Sequence, residues 1–246
     1  MDSRALLFQL LTQIETLQEA SSGLEGIDYI YVINLEERPE KWDKISEEFG
    51  KYDLILNRVS AINGWKIPEE KRQELVRYPI RPLRGGEIGC FLSHLSVYQD
   101  AAKKEVKAVW ICEDDIQFEK SPKNIPFLVK QLTKIDPDWD ILYTDYSEAG
   151  SIPCGGNPYG HSYQVLKEEV TKDLVRMHGR WGTHSILFSA KGITKVFRHY
   201  YCNPIIWAPI DVDIHYIPGL REYSVKESIT RAPCGSSDTG PFSSFL

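Results

Sequence analysis

The 246-residue chain has no run of about 20 apolar residues, the length a helix needs to cross the hydrocarbon core of a bilayer. Residues 1–20 carry acidic and polar interruptions where a secretory signal would keep an unbroken apolar stretch. Both absences predict a cytoplasmic protein. An excess of positive charge is missing as well, since 29 Lys and Arg against 35 Asp and Glu leave a formal net charge of −6. Phosphate neutralisation needs a basic face, so nucleic acid is not an expected partner. Arg77, Arg81 and Arg84 form a local basic spot, which suits a phosphorylated ligand or an anionic surface as well as a solvated loop. Cysteines number only 5, and Cys90, Cys112, Cys154, Cys202 and Cys234 are too scattered for a zinc knuckle or a redox pair. They read as reduced thiols, with Cys90 and Cys112 as small core residues.

What remains is globular. Hydrophobic residues make up 42% and charged ones 26%, and the length suits one large α/β domain. Leu6, Leu7, Leu10, Leu11, Ile14 and Leu17 recur at helical spacing, which predicts an amphipathic helix ending before Ser21. This helix and its Ser-Gly linker, residues 1–26, stand apart from a domain over residues 27–246. The helix's polar face is not basic, so packing on the domain or on a second subunit is expected ahead of a membrane-surface role.

From Tyr29 onward strands and helices alternate. A strand over Tyr29 to Asn34 leads to a helix starting near Pro39, and a strand around Leu54 to Val59 leads to a turn at Asn63-Gly64. A helix over Glu87 to Lys104, a strand over Val106 to Cys112, a helix near Ile125 to Lys134 and a strand over Ile141 to Asp145 follow. Residues Gly150 to Gly160 are rich in Gly and Pro and read as a long loop or lid. A strand over Ser185 to Ala190 and a helix over Lys191 to Tyr200 come next, and the tail from Pro233 reads as irregular. This order builds an α/β sheet whose ligand site lies at the carboxyl ends of its strands.

One strand ends in an unusual way. Val109-Trp110-Ile111-Cys112 runs directly into Glu113-Asp114-Asp115, so a buried strand closes on three carboxylates. Residues two apart in extended backbone face the same way, so Glu113 and Asp115 can converge while Asp114 points elsewhere. Such a pair suits one hard divalent cation, which takes oxygen ligands and bridges readily to a diphosphate. A solvated acidic turn would carry the same residues, and position at a strand end favours the site.

Further segments resemble glycosyltransferase family 25, which includes lipopolysaccharide and procollagen galactosyltransferases. The matching blocks are Val32-Ile33-Asn34-Leu35 with Arg38, Gly86 to His94, Trp110 to Asp115, Gly182-Thr183-His184 leading into Ser189 to Gly192, Pro209 to Asp213, and Ser237-Asp238. The resemblance implies an α/β fold of GT-A type with a Rossmann-like nucleotide-sugar domain and a mixed, mainly parallel central sheet. It also implies a UDP-sugar donor, Mn²⁺ or Mg²⁺, and inversion at the anomeric carbon. The family's first block usually carries a second arginine where this chain has Lys41, which offers a point charge in place of a bidentate fork.

Carried onto this chain, the resemblance places Asn34, Arg38, Glu87, Ser93, His94 and Asp114 as donor contacts and Asp115 with Glu113 as metal ligands. Glu87 also suits a helix-start charge, and His184 and His215 are additional candidates to ligate the metal. Asp213 is the first candidate for the base that deprotonates the acceptor hydroxyl, and Asp211 the second; Asp211 also suits a helix cap. The implied reaction moves a hexose, galactose first, from UDP-galactose to a saccharide or glycolipid acceptor such as lipooligosaccharide. Peripheral membrane association and homo-oligomer formation through the N-terminal helix stay open. A metal-dependent phosphohydrolase of nucleotide sugars and a binding module without turnover are the rival readings.

Overall fold

Tyr29–Asn34 forms strand β1, and all of its residues are buried. A strand with no exposed face needs helices on both sides of its sheet. The computed structural model, which describes residues 2–14, 22–77, 82–146 and 166–232, supplies them. In chain order the elements are α1 (Ser3–Gln9), β1, α2 (Pro39–Gly50), β2 (Leu56–Ser60), α3 (Glu69–Leu75) and α4 (Gly85–Lys103). Then come β3 (Ala108–Glu113), β4 (Gln117–Phe118), α5 (Ile125–Ile135), β5 (Ile141–Tyr143), β6 (Leu166–Glu169) and β7 (Leu174–His178). The described chain ends with β8 (Ser185–Ser189), α6 (Ala190–Cys202), α7 (Ile210–Asp213), β9 (Glu222–Val225) and β10 (Thr230–Arg231).

Alternation along β1 sorts the core into two layers. Tyr29, Tyr31 and Ile33 pack with Phe91, Leu92 and Leu95 of α4 and Val196 and Tyr200 of α6. Ile30 and Val32 pack on the opposite face with Ile45 and Phe49 of α2 and Leu128 and Leu132 of α5. The sheet order is β2-β1-β3-β8-β5-β9-β7-β6. β1 is parallel to both β2 and β3, and β5 is parallel to β9. β8 lies antiparallel between β3 and β5, and β7 antiparallel between β9 and β6. β7 and β8 therefore run against the other six strands, giving the mixed, mainly parallel α/β sheet that was expected.

The N-terminal helix is shorter than its apolar period predicts. It spans Ser3–Gln9, with the Asp2 carboxylate accepting the Arg4 N–H at 3.2 Å as its cap. Leu6, Leu7 and Leu11 are buried in the layer formed by α4 and α6. Phe8 meets the rings of Phe197 and Tyr201 on α6, and the Thr12 N–H donates to Ser96 Oγ at 3.0 Å. Of the roles left open by the sequence, the described part packs on the domain itself. Leu17 and the linker residues 15–21 lie outside the described residues, as do Arg81, the Gly150 to Gly160 segment and everything from Pro233 on, including Ser237 and Asp238. No helix among the described residues is long and apolar enough to cross a membrane.

Candidate active site

Parallel β1, β2 and β3 all release their chains at one edge of the sheet, and a pocket opens there. It is lined by Ile33 at the end of β1 and Leu35 just after it, Lys41 on α2, Ala61 to Trp65 after β2, Gly86, Cys90 and Ser93 on α4, and Glu113, Asp114 and Asp115 at the end of β3. The three carboxylates predicted to form a site thus share one cavity. Asp114 does not point elsewhere, however. Its Oδ2 accepts from Asn34 Nδ2 at 2.7 Å, and its Oδ1 lies 3.3 Å from Lys41 Nζ. The chain turns directly after Glu113, so the strict two-residue alternation of a strand no longer applies.

The other carboxylates differ from each other in their surroundings. Burial works to raise the Glu113 pKa, but His94, His184 and Thr183 outweigh it and hold the group below the usual range. His94 Nε2 sits 3.3 Å from Glu113 Oε1, and the Thr183 hydroxyl donates to the same oxygen at 3.1 Å. Asp115 is pushed up to about 6, first by burial and then by the Glu113 charge. Its Oδ1 is buried with no hydrogen-bond partner among the described residues. A buried carboxylate oxygen without a donor, beside a second carboxylate, fits a cation ligand. Oxygen donors of this kind suit Mn²⁺ or Mg²⁺. Cys90, His94 and Glu113 also offer ligand atoms within 4.8 Å of one another. Burial, followed by the charges of Glu113, Asp211 and Asp115, drives the Cys90 thiol well up, so it stays protonated beside them.

Of the residues expected at the donor, Ser93, like Asp114, lines the pocket, and the others are held in hydrogen bonds and ion pairs around it. Asn34 is fully buried, and its Oδ1 accepts from Arg58 Nε at 3.0 Å and Nη2 at 2.5 Å while its Nδ2 holds Asp114. Ser93 Oγ donates to Gly89 O at 2.7 Å and accepts the Ile62 N–H at 2.8 Å, which pins the β2 exit loop to α4. Glu87 Oε2 accepts the Arg84 N–H at 2.8 Å and closes the start of α4, the helix-start role the sequence also allowed. His94 is buried and reaches the pocket through Glu113, with Tyr98 Oη 3.4 Å from its Nδ1. Arg38 lies at the start of α2 and pairs with Glu40 at 2.6 Å. Neither Glu87, His94 nor Arg38 lines the pocket.

The two candidate bases separate clearly. Asp213 has no exposed surface, and its Oδ2 accepts the N–H groups of Trp207 and Ala208, both at 3.2 Å. Asp211 is not the cap of α7, whose N-cap position is Pro209. Its Oδ2 accepts the Gly182 N–H at 3.1 Å, and its pKa is raised, chiefly by burial and further by the nearby Glu113 charge. Residues 180–184 join both halves of the site: Gly182 holds Asp211, Thr183 holds Glu113, and His184 O accepts the Glu113 N–H at 2.8 Å.

Neither extra histidine faces the carboxylate pair alone. His184 Nε2 lies 3.2 Å from Asp145 Oδ2, which also takes Arg180 Nη2 at 2.5 Å. His215 belongs to a separate buried cluster, with its Nδ1 2.8 Å from Glu222 Oε2 and its Nε2 2.9 Å from Arg180 O. His178 Nδ1 meets Glu222 Oε1 at 2.6 Å, and the Tyr143 hydroxyl donates to Oε2 at 3.0 Å. Burial opposes charge on Glu222, yet these partners, His215 first, bring its pKa down to about 2. Sequence reasoning missed Arg58, Trp65 and, apart from His215, this cluster. Its only signal was charge inside an otherwise apolar strand, which a solvated edge would show equally.

Residues 27–149, half of the chain, match the model of glycosyltransferase family 25 (LPS biosynthesis protein). A glycosyltransferase 25 family member of Anopheles gambiae is 30% identical over 83% of this chain and 33% of its own length. Procollagen galactosyltransferase 2 of Mus musculus is 30% identical over 48% of this chain and 20% of its own length. Inactive glycosyltransferase 25 family member 3 of Homo sapiens is 27% identical, again over 48% of this chain, and 22% of its own length. The chain therefore spans about a fifth to a third of the length of these relatives. The family match takes in the β1 exit, the first turns of α4 and the Glu113 to Asp115 cluster, the same segments that close around the pocket. The chain belongs to glycosyltransferase family 25.

Proposed function

We propose that the chain transfers a hexose, galactose first, from a UDP-sugar to a hydroxyl of a saccharide or glycolipid acceptor with inversion. The observation that carries this reading is the pair Glu113 and Asp115, of which Asp115 keeps a buried oxygen without a donor. These two would hold a divalent cation, Mn²⁺ or Mg²⁺, which when bound supplies neutralising charge for a departing diphosphate. Asp114, fixed by Asn34 and Lys41, faces the pocket as an acceptor for donor hydroxyls. Asp211 takes the proton of the attacking hydroxyl; its raised pKa and its place beside Glu113 favour it over Asp213, whose oxygen is occupied by backbone. Thr183 and His94 orient Glu113 throughout.

The deciding experiment is a panel of UDP-sugars screened for metal-dependent hydrolysis and then repeated with saccharide acceptors. The reading expects one UDP-hexose to be consumed with divalent metal, and an acceptor to divert the sugar from water. Donor breakdown that no acceptor redirects would instead support a phosphohydrolase. The inactive human relative gives a third reading some support, a module that binds nucleotide sugar without turnover. Binding in the absence of any turnover would favour it.

A further inference from the structure

Trp65 is 56% exposed on the rim of the pocket, whereas Trp110 and Trp139 are buried. An exposed indole gives up burial that would stabilise the fold, so a rigidly held one invites an explanation in binding. This one is rigid. Asn63 Oδ1 accepts the Trp65 N–H at 3.1 Å, Ser93 fixes Ile62, and the Lys66 ammonium pairs with Glu37. Gly89 passes so close beneath the turn that a Cβ there would lie 2.3 Å from Ile62 O. The indole itself rests on Gly85, where a Cβ would meet its Cδ2 and Cε3 atoms at 2.8 Å. Any other residue at Gly85 would displace the ring.

Position in the sheet indicates which part of a ligand reaches it. β2 and β3 flank β1, so the turn after β2 and the carboxylates ending β3 lie two strand spacings apart, about 10 Å. A nucleoside diphosphate spans a comparable distance from its base to its phosphates. Apolar Leu35 and Ile62 line the same pocket. Asp211, where the acceptor hydroxyl is activated in the reading above, is held by the segment leading into β8, on the far side of β3 from Trp65. The acceptor end and the Trp65 end of the site are therefore opposite.

Resting on that reading of the pocket, we propose that Trp65 is the platform on which the nucleobase of the donor stacks. The test is calorimetric titration of UDP, uridine and inorganic pyrophosphate, with Mn²⁺ present, into the wild-type chain, Trp65→Ala and Trp65→Phe. Trp65→Ala is expected to weaken UDP and uridine by roughly 10-fold or more, with pyrophosphate affinity and thermal melting unchanged. Trp65→Phe is expected to restore most of the loss. Two results overturn the proposal: UDP binding equal in wild type and Trp65→Ala, or a parallel loss of pyrophosphate. A wild-type chain that binds no nucleotide at all overturns the donor reading itself, a result distinct from these.

Discussion

At the scale of single residues, chemistry at this site is decided by which carboxylates the backbone has already occupied. Asp213 is spent on two N–H groups, one buried and one part-buried, and a variant without its oxygens removes the acceptor of both. Asp213→Ala should lose about 1–3 kcal/mol of stability in urea melts, with turnover per folded molecule largely kept. Asp211 accepts the Gly182 N–H and holds its proton more strongly than an ordinary aspartate, chiefly through burial. Asp211→Asn should lower transfer by roughly 10²-fold while UDP affinity stays constant. The opposite pattern, with transfer lost in a stable Asp213 variant and kept in Asp211→Asn, would return the base role to Asp213. The sequence could nominate both aspartates, but not rank them. Their partners Gly182 and Trp207 both precede them in the chain, 29 residues before Asp211 and 6 before Asp213, and nothing local shows which aspartate each will hold.

At the scale of elements, legibility follows the purity of the apolar pattern. β1, β3 and α4 carry the site, and their burial keeps a simple signal, so their bounds fall within a few residues of the expectation. β9 hides Glu222 and Ser224 as buried polar residues, and α3 buries only Leu75 among charged neighbours, so neither shows a period. The pocket wall was hidden for a related reason. Asn34 works through Arg58 and Asp114, 24 and 80 residues away, and nothing local announces such a partner. α1 was legible as amphipathic, but its docking against α4 and α6 was only one of several expectations. Leu7 is 1% exposed there, so Leu7→Ala should cost about 2–5 kcal/mol in denaturant unfolding, while the exposed Gln13 tolerates alanine. If Leu7→Ala unfolds with the wild-type midpoint, α1 does not belong to the core it shares with α6.

For the whole molecule, the acidic balance of −6 is gathered in part at the functional edge, where Glu113, Asp114 and Asp115 line one pocket and Asp211 stands close by. Such a pocket repels a diphosphate unless a cation lies between. Lys41 is already drawn to Asp114, and Asp115 reports the crowding through a pKa near 6 that burial and then Glu113 produce. The sheet supplies the frame, α4 and the 180–184 segment hold the carboxylates in place, and in the proposed reading a divalent ion brings the donor to them. The most direct test is calorimetry of UDP binding to the wild-type chain and to Asp115→Asn, each with Mn²⁺ and with chelator. The account predicts that wild type binds UDP only with Mn²⁺, and that folded Asp115→Asn loses that binding by roughly 10-fold or more. UDP binding that is unchanged by chelator and by Asp115→Asn would contradict it.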